Sequence, residues 1–418
     1  MRENNPCMNS DKGTKTENEN VILNLKSNLF SLLMLCVFLL FHFEGKSQLS
    51  LETLISNAKE NNKTLIAANR YYEAEVIQAK TGNTPENPEV EYAYLWGTPE
   101  QIGERVDFAV TQSFDFPTAY TSRSKLSKIN REQANLRLQT TEQEVIVRAR
   151  KAWFNAVYLN QVKLLLGQRL QNAELIAQAF QRLYDEGEAN QLQLNQAQLK
   201  ATALSNEMNR LKAEIVANNA EISWLNGGQA FVVADTTFPA SANLVLDTLL
   251  KLYQTGPRNA AFQGEVIRME QLKDVAFNQK LPKLKAGYYQ ETILGTQLKG
   301  IVAGISIPLW ADAHAVKAAK AGVVFAQTDA MRFWEQQKIQ LTQMFERWLM
   351  LKAQVDEMDK LLDNSNNNSL LLKALERGEI SLTQYYYESD FYFQNQFELF
   401  DMKRELYLLE TELMRASY

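Results

Sequence analysis

Two hydrophobic periods alternate along this chain. In Val106 to Phe116, VDFAVTQSFDF, apolar side chains at Val106, Phe108, Val110, Phe114 and Phe116 interleave with Asp107, Thr111, Ser113 and Asp115. A period of two predicts a strand with one apolar and one polar face. EVEYAYLW places Val90, Tyr92, Tyr94 and Trp96 on one such face. KLKAGYYQ sets Leu284, Ala286 and Tyr288 against Lys283, Lys285 and Gly287, and GIVAGISI lines up Ile301, Ala303, Ile305 and Ile307.

Elsewhere the period lengthens to threes and fours. Val145, Ala149, Ala152, Ala156, Leu159, Leu166, Leu170, Ala173, Ala177 and Phe180 follow a coiled-coil seam, with alanine often where helices approach closely. Thr118 to Glu186 and Leu309 to Arg377 are each 69 residues. As helix, each would reach about 100 Å. Single helices in water are marginal, so rods of this kind need lateral packing. DNSNNNS, Asp363 to Ser369, holds poor helix formers. It is read as helix because its counterpart LQNAELI is helical by pattern.

Landmarks recur at one offset. Gly187 and Gly378 are 191 apart, as are Pro117 and Pro308, and LETLI (from Leu51) resembles LDTLL (from Leu246) at an offset of 195. Their shared order predicts a duplicated unit, residues 49–228 and 244–418, joined by a linker at 229–243. Each unit opens with an amphipathic helix (Leu51 to Lys80; Leu244 to Gln279). A β-hairpin follows (88–116; 283–307), then a long helix (118–186; 309–377) and a return helix (190–226; 381–416). Gly187 and Gly378 end the rods, because glycine accepts the left-handed backbone of such a turn.

A soluble sandwich needs more than four strands for a core. A transmembrane barrel strand alternates apolar outward and polar inward with aromatics near the interfaces, as Tyr92, Tyr94, Trp96, Phe114, Phe116, Tyr288 and Trp310 would supply. Four strands cannot close, and an open edge in lipid leaves backbone groups unsatisfied. The barrel must therefore be shared: two chains give eight strands, three give twelve.

Composition narrows the chemistry. Net charge is -5, without the basic excess of a nucleic-acid binder. Leu29 to Phe41 is an apolar run of 13 residues preceded by Lys26, which predicts a signal peptide over residues 1–48 with cleavage near Ser47 or Gln48. Cys7, Cys36 and His42 would leave with it. One His, His314, then remains, in an alanine-rich helical stretch. That leaves no thiol chemistry, disulfide or His-Cys metal cluster. No Gly-x-Gly-x-x-Gly occurs. The expectation is no enzyme, with no catalytic, cofactor-binding or metal residues.

The FDFP and ISIP junctions and the turns RLYDEGE (Arg182 to Glu188) and LERGE (Leu375 to Glu379) resemble those of the TolC family of outer-membrane efflux proteins, cation-efflux type. The match spans about residues 49 to 418. The resemblance implies a mainly α fold with a small membrane β-barrel portion: a homotrimeric α/β-barrel channel in the outer-membrane lipid, its helices crossing the periplasm. It implies docking to a periplasmic adaptor and an inner-membrane pump of the RND type. By position, the docking tip is Arg182, Leu183, Tyr184, Gly187 and Glu188, with Leu375, Gly378 and Glu379. Family aspartates at the closed tip correspond here to Gln384 and Tyr387, and in the first repeat to Gln193 and Gln196. Gln193, Gln384, Tyr387, Glu388 and Asp390 are therefore the constriction candidates. The cluster Tyr385 to Tyr387 reads equally as gate or packing. The implied function is a passive exit duct for small solutes, metal cations or drugs. A duct for type I protein secretion and a soluble exported coiled-coil scaffold stay open.

Overall fold

The computed structural model describes residues 50–99, 103–308, 310, 314–364 and 368–418. The leader with Cys7, Cys36 and His42, Leu309 at the expected start of the second rod, and residues 365–367 of DNSNNNS lie outside the described residues.

In chain order the elements are α1 (Leu51–Asn61), α2 (Lys63–Gln78), β1 (Glu89–Trp96), β2 (Glu104–Phe114), α3 (Pro117–Asp185) and α4 (Gln191–Leu225). Then come α5 (Leu246–Thr255), α6 (Pro257–Asn278), β3 (Lys283–Ile293), β4 (Thr296–Ser306), α7 (Ala315–Asn364), α8 (Asn368–Glu376) and α9 (Leu382–Leu413). The protein is mostly helical with one small sheet. The order two helices, two strands, long helical stretch, return helix occurs twice.

Several boundaries differ from the sequence reading. Each opening helix is two helices. Asn62 breaks the first: its backbone is extended, and its Oδ1 accepts the N–H groups of Thr64 (2.9 Å) and Leu65 (3.4 Å), capping α2. Its Nδ2 meanwhile donates to the Leu225 carbonyl at 3.3 Å. Gly256 and Pro257 break the second, since proline has no N–H and disfavours helix in the residue before it. β2 ends at Phe114, because Asp115 and Phe116 lead into Pro117 at the first turn of α3. After Pro308 the first described helical residue is Ala315. Trp310 lies in a bend and His314 in an exposed turn, and the His314 carbonyl takes the first helical bond, from Ala318 N at 2.9 Å. The return helices start one residue late, at Gln191 and Leu382, since Asn190 and Ser381 are their caps.

The sheet order is β1-β2-β3-β4, all antiparallel, and the β2–β3 pairing joins the two halves of the chain. Val110 faces Val90 and Tyr288, and Tyr288 faces Ile301, so the even-numbered residues of β1, β2 and β3 share a face with the odd-numbered residues of β4. That face collects the expected apolar set and is exposed, with Trp96 at 74% and Ile301 at 89%. The opposite face carries Arg105, whose Nε lies 2.9 Å from both Asp107 and Glu291 and whose Nη2 donates to the Tyr289 hydroxyl at 3.1 Å.

Helix α3 packs against α1, α2, α4, α6 and α9, and α7 against α6 and α9. The alanine-rich seam is where this happens. Val145, Ala149, Ala152, Ala156, Leu159, Leu166 and Ala173 are buried. Leu159, Leu166 and Ala173 meet Leu204, Met208 and Leu211 of α4. The linker after α4 lies on this bundle. Phe238 stacks on Tyr407 with centroids 4.7 Å apart, and Asn160 Nδ2 donates to the Val233 and Asp235 carbonyls at 2.9 and 3.0 Å. Buried Glu410 accepts from Ser241 Oγ (2.9 Å) and Ala242 N (3.1 Å). Among the described residues no helix is long and apolar enough to cross a membrane.

Candidate functional site

The two Gly-Glu breaks have one geometry. After α3, Gly187 takes φ 79°, and the N–H groups of Gly187 and Glu188 donate to the Tyr184 and Leu183 carbonyls at 3.0 and 2.8 Å. After α8, Gly378 takes φ 70°, and the N–H groups of Gly378 and Glu379 donate to the Leu375 and Ala374 carbonyls at 3.0 and 2.9 Å. Both are glycine C-caps that close the last helical turn. Each return helix is then capped within three residues. Asn190 and Gln193 exchange reciprocal 3.0 Å bonds, and Ser381 Oγ accepts from Gln384 N at 3.1 Å.

Between the ends of α3 and α8 lies a groove of about 640 Å³. Leu175, Ile176 and Phe180 face Leu372 and Leu375 across it, with Arg182, Leu183, Glu186 and Glu376 also on its walls. Of the eight tip residues read from the sequence, Arg182, Leu183 and Leu375 line this groove. Tyr184, in the last turn of α3, and Gly187, Glu188, Gly378 and Glu379, on the turns, are exposed beside it. Arg377 pairs with Glu379 at 3.8 Å.

The constriction candidates are dispersed. Gln193 is held in its capping box. Tyr385 and Tyr386 are buried, 3% and 8% exposed, whereas Tyr387 is 73% exposed. Burial raises the pKa of Tyr385, partly opposed by its Ser389 hydrogen bond and by Arg169; burial likewise raises that of Tyr386. Asp390 is engaged by Arg169 Nη2 on α3 at 2.8 Å and Lys200 Nζ on α4 at 2.6 Å, so it ties three helices together. Gln384 and Glu388 are exposed. Phe391, absent from the sequence reading, is 66% exposed one turn beyond Tyr387. The signal was present in the i, i+4 spacing.

All seven aromatics that the sequence offers as membrane-interface candidates are exposed. Tyr92, Tyr94, Trp96, Phe114 and Tyr288 share the apolar sheet face. Phe116 and Trp310 mark the two strand-to-helix junctions. At the first junction Asp115 meets Arg123 Nη2 at 2.6 Å and Lys283 Nζ at 3.5 Å, and Lys283 reaches Glu86 at 2.7 Å. This network, which links both halves, also escaped the sequence reading. Among the described residues no group of three or more His, Cys, Asp or Glu is placed to hold a metal ion.

No family model and no curated protein matches the chain. Solved structures do. A CusC structure, described in terms of folding and transmembrane channel formation, superposes with a TM-score of 0.73 at 14% identity, covering 88% of this chain and 92% of that one. The CmeC outer membrane channel of Campylobacter jejuni gives 0.70 at 14% identity, covering 88% and 85%. A membrane protein of Pseudomonas aeruginosa gives 0.75 at 13% identity, covering 88% and 89%. The fold is that of the TolC-family outer-membrane channels. The resemblance read from the junctions and turns is borne out at the level of the fold.

Proposed function

We propose that this chain is the outer-membrane duct subunit of a tripartite efflux system, with its sheet in the outer membrane and its helices in the periplasm. The observation that carries the reading is the sheet: one exposed apolar face, one charged face, and two edge strands, β1 and β4, each with an open side among the described residues. Three copies joined β4 to β1 make twelve strands, remove every edge and turn Arg105, Asp107 and Glu291 toward water. The helices support the same assembly. Leu192 (79% exposed) and Leu199 (70%) on α4, and Val324 (61%) and Phe325 (68%) on α7, need lateral neighbours that one chain does not supply.

The tip turns and their groove offer apolar floor and charged rim to a helical hairpin of a periplasmic adaptor, with Arg182, Leu183, Tyr184, Gly187, Glu188, Leu375, Gly378 and Glu379 as the contact set. An RND-type inner-membrane pump would supply the energy, and small solutes, metal cations or drugs, would pass through. The test is extraction and reconstitution. The protein should partition into membranes, run as a heat-labile trimer in detergent and conduct ions in lipid bilayers. A monomer recovered from the soluble fraction would overturn the reading.

A further inference from the structure

We infer that a cleft on α3, between α2 and α6, binds an organic anion with an aromatic body, held by Arg137 and Arg258. The site is built within one chain and does not depend on the duct proposed above.

The cleft encloses about 730 Å³, within the roughly 300–1,000 Å³ usual for small-molecule sites. One face of α3 is its floor, running from Asn130 to Glu144. Tyr71 of α2 stands on one wall and Arg258 and Phe262 of α6 on the other. Two contacts fix the depths. Arg137 Nη1 donates to the Tyr71 hydroxyl at 3.3 Å, and the guanidinium lies over that ring at 4.9 Å. Helix α6 runs antiparallel to α3: Asn278 Nδ2 donates to Ser122 Oγ at 2.6 Å, and Gly264 is pressed against the Gln133 carboxamide. Arg258 is six residues from Gly264, and Arg137 to Thr140 lie four to seven residues from Gln133. At 1.5 Å per residue the two guanidiniums therefore sit at nearly one depth.

Both are charges without a counter-charge. Among the described residues Arg137 contacts only Tyr71, and Arg258 lies over the Phe333 ring at 5.6 Å; neither forms an ion pair. The third cation of the cleft is different. Arg268 is neutralised by Glu265 through two bonds of 2.7 Å. Glu75 accepts from the Tyr71 hydroxyl, which raises the pKa of that phenol. Glu144 lies seven residues past Arg137, about 10 Å farther along α3. Thr140 and Thr141 donate to carbonyls of their own helix at 2.9 and 3.1 Å. At the depth of Arg137 the strongest donors still open are thus two guanidiniums.

A guanidinium fork matches a carboxylate or sulfonate, and such charge-assisted bonds are the strong ones. The rings supply the second half of the recognition. Tyr71 stands on one wall, and Phe262, fixed by stacking on Phe333 at 3.9 Å, stands on the other. A planar apolar body between them gains aromatic contact. A cation would meet two like charges, and a neutral arene would leave both guanidiniums unpaired.

The test is a titration of the full-length, detergent-solubilised protein with 2-naphthoate, followed by the anisotropy of its own fluorescence, with protein-free micelles as the blank. Binding should saturate at one naphthoate per chain. Arg137→Gln and Arg258→Gln should each weaken it about tenfold, the loss of one charge-assisted hydrogen bond. Arg258→Lys should keep part of the affinity. The neutral 2-naphthalenemethanol should bind about tenfold more weakly than the acid, a comparison made on the unaltered protein. Equal binding of acid and alcohol, or naphthoate binding that survives both glutamine substitutions, would overturn the site. Naphthoate binding as expected in a protein that forms no channels in bilayers would sink the duct reading and leave this site standing.

Discussion

Asp390 on α9 lies 2.8 Å from Arg169 on α3, and that guanidinium also sits over the Phe393 ring at 4.7 Å. The Arg169 side chain is only 10% exposed, while Asp390 is 43% exposed. The two ends of this contact are therefore unequal. Removing Asp390 strands a buried cation; removing Arg169 leaves a carboxylate that Lys200 still neutralises. Asp390→Ala should cost about 1–3 kcal/mol, and Arg169→Met distinctly less. Thermal unfolding of the detergent-solubilised protein checks the order. Equal losses would mean that the two charges are separately solvated.

The turns make a second prediction. Gly187 at φ 79° and Gly378 at φ 70° hold a conformation that costs an L side chain about 1–2 kcal/mol. No atom lies within 4 Å of where a Cβ would stand at either position, so the cost is in the backbone and not in a clash. Gly378→Val should impair export while trimers still assemble. Gly167→Ala, in the helical seam with only a Met208 methyl 4.0 Å away, should be harmless. Full export by the Gly378 variant would remove the tip assignment.

The charge cluster at the end of α9 sets an acid limit. Burial pushes the Glu412 carboxyl up, but hydrogen bonds from Lys151 and from Arg415, at 2.6 Å, together with their charges, hold it below the usual range. A depressed carboxyl stabilises the fold above its unfolded pKa, and the contribution fades as pH falls through the folded value. The melting temperature should thus be steady above about pH 5 and drop below about pH 4. In Glu412→Gln the acid limb should be shallower. An unchanged limb would assign acid sensitivity to other carboxylates.

The sheet faces predict opposite tolerances. Ile301 stands on the apolar face and Val302 on the charged one. Under the barrel reading, Ile301→Lys should cost about 2–4 kcal/mol at mid-membrane and Val302→Lys much less. The amount of heat-labile trimer recovered from membranes measures both. Equal recovery would argue against a lipid-facing side.

Much of this architecture was legible because its causes are local. Alternation within β1 and β2, the 3.6-residue stripe of α3 and the glycine C-caps depend on neighbours a few residues away. What escaped was non-local. Asn62 reads as one more polar helix residue until Leu225, 163 positions on, takes its amide. Asp390 reads as a free acid until Arg169, 221 positions earlier, is laid beside it. In the same way, burial of Tyr385 and Tyr386 left Tyr387 and Phe391 as the exposed pair, a division that three adjacent tyrosines do not announce.

By itself the chain determined its periods, its breaks and its twofold order, since backbone conformation answers to side-chain spacing within a turn or a pleat. Only the tertiary structure decided which half-strand meets which, through β2 on β3, and which charges are spent on holding helices together. Those choices follow from burial: a polar group removed from water must find its partner wherever the fold places one, and sequence distance carries no record of it.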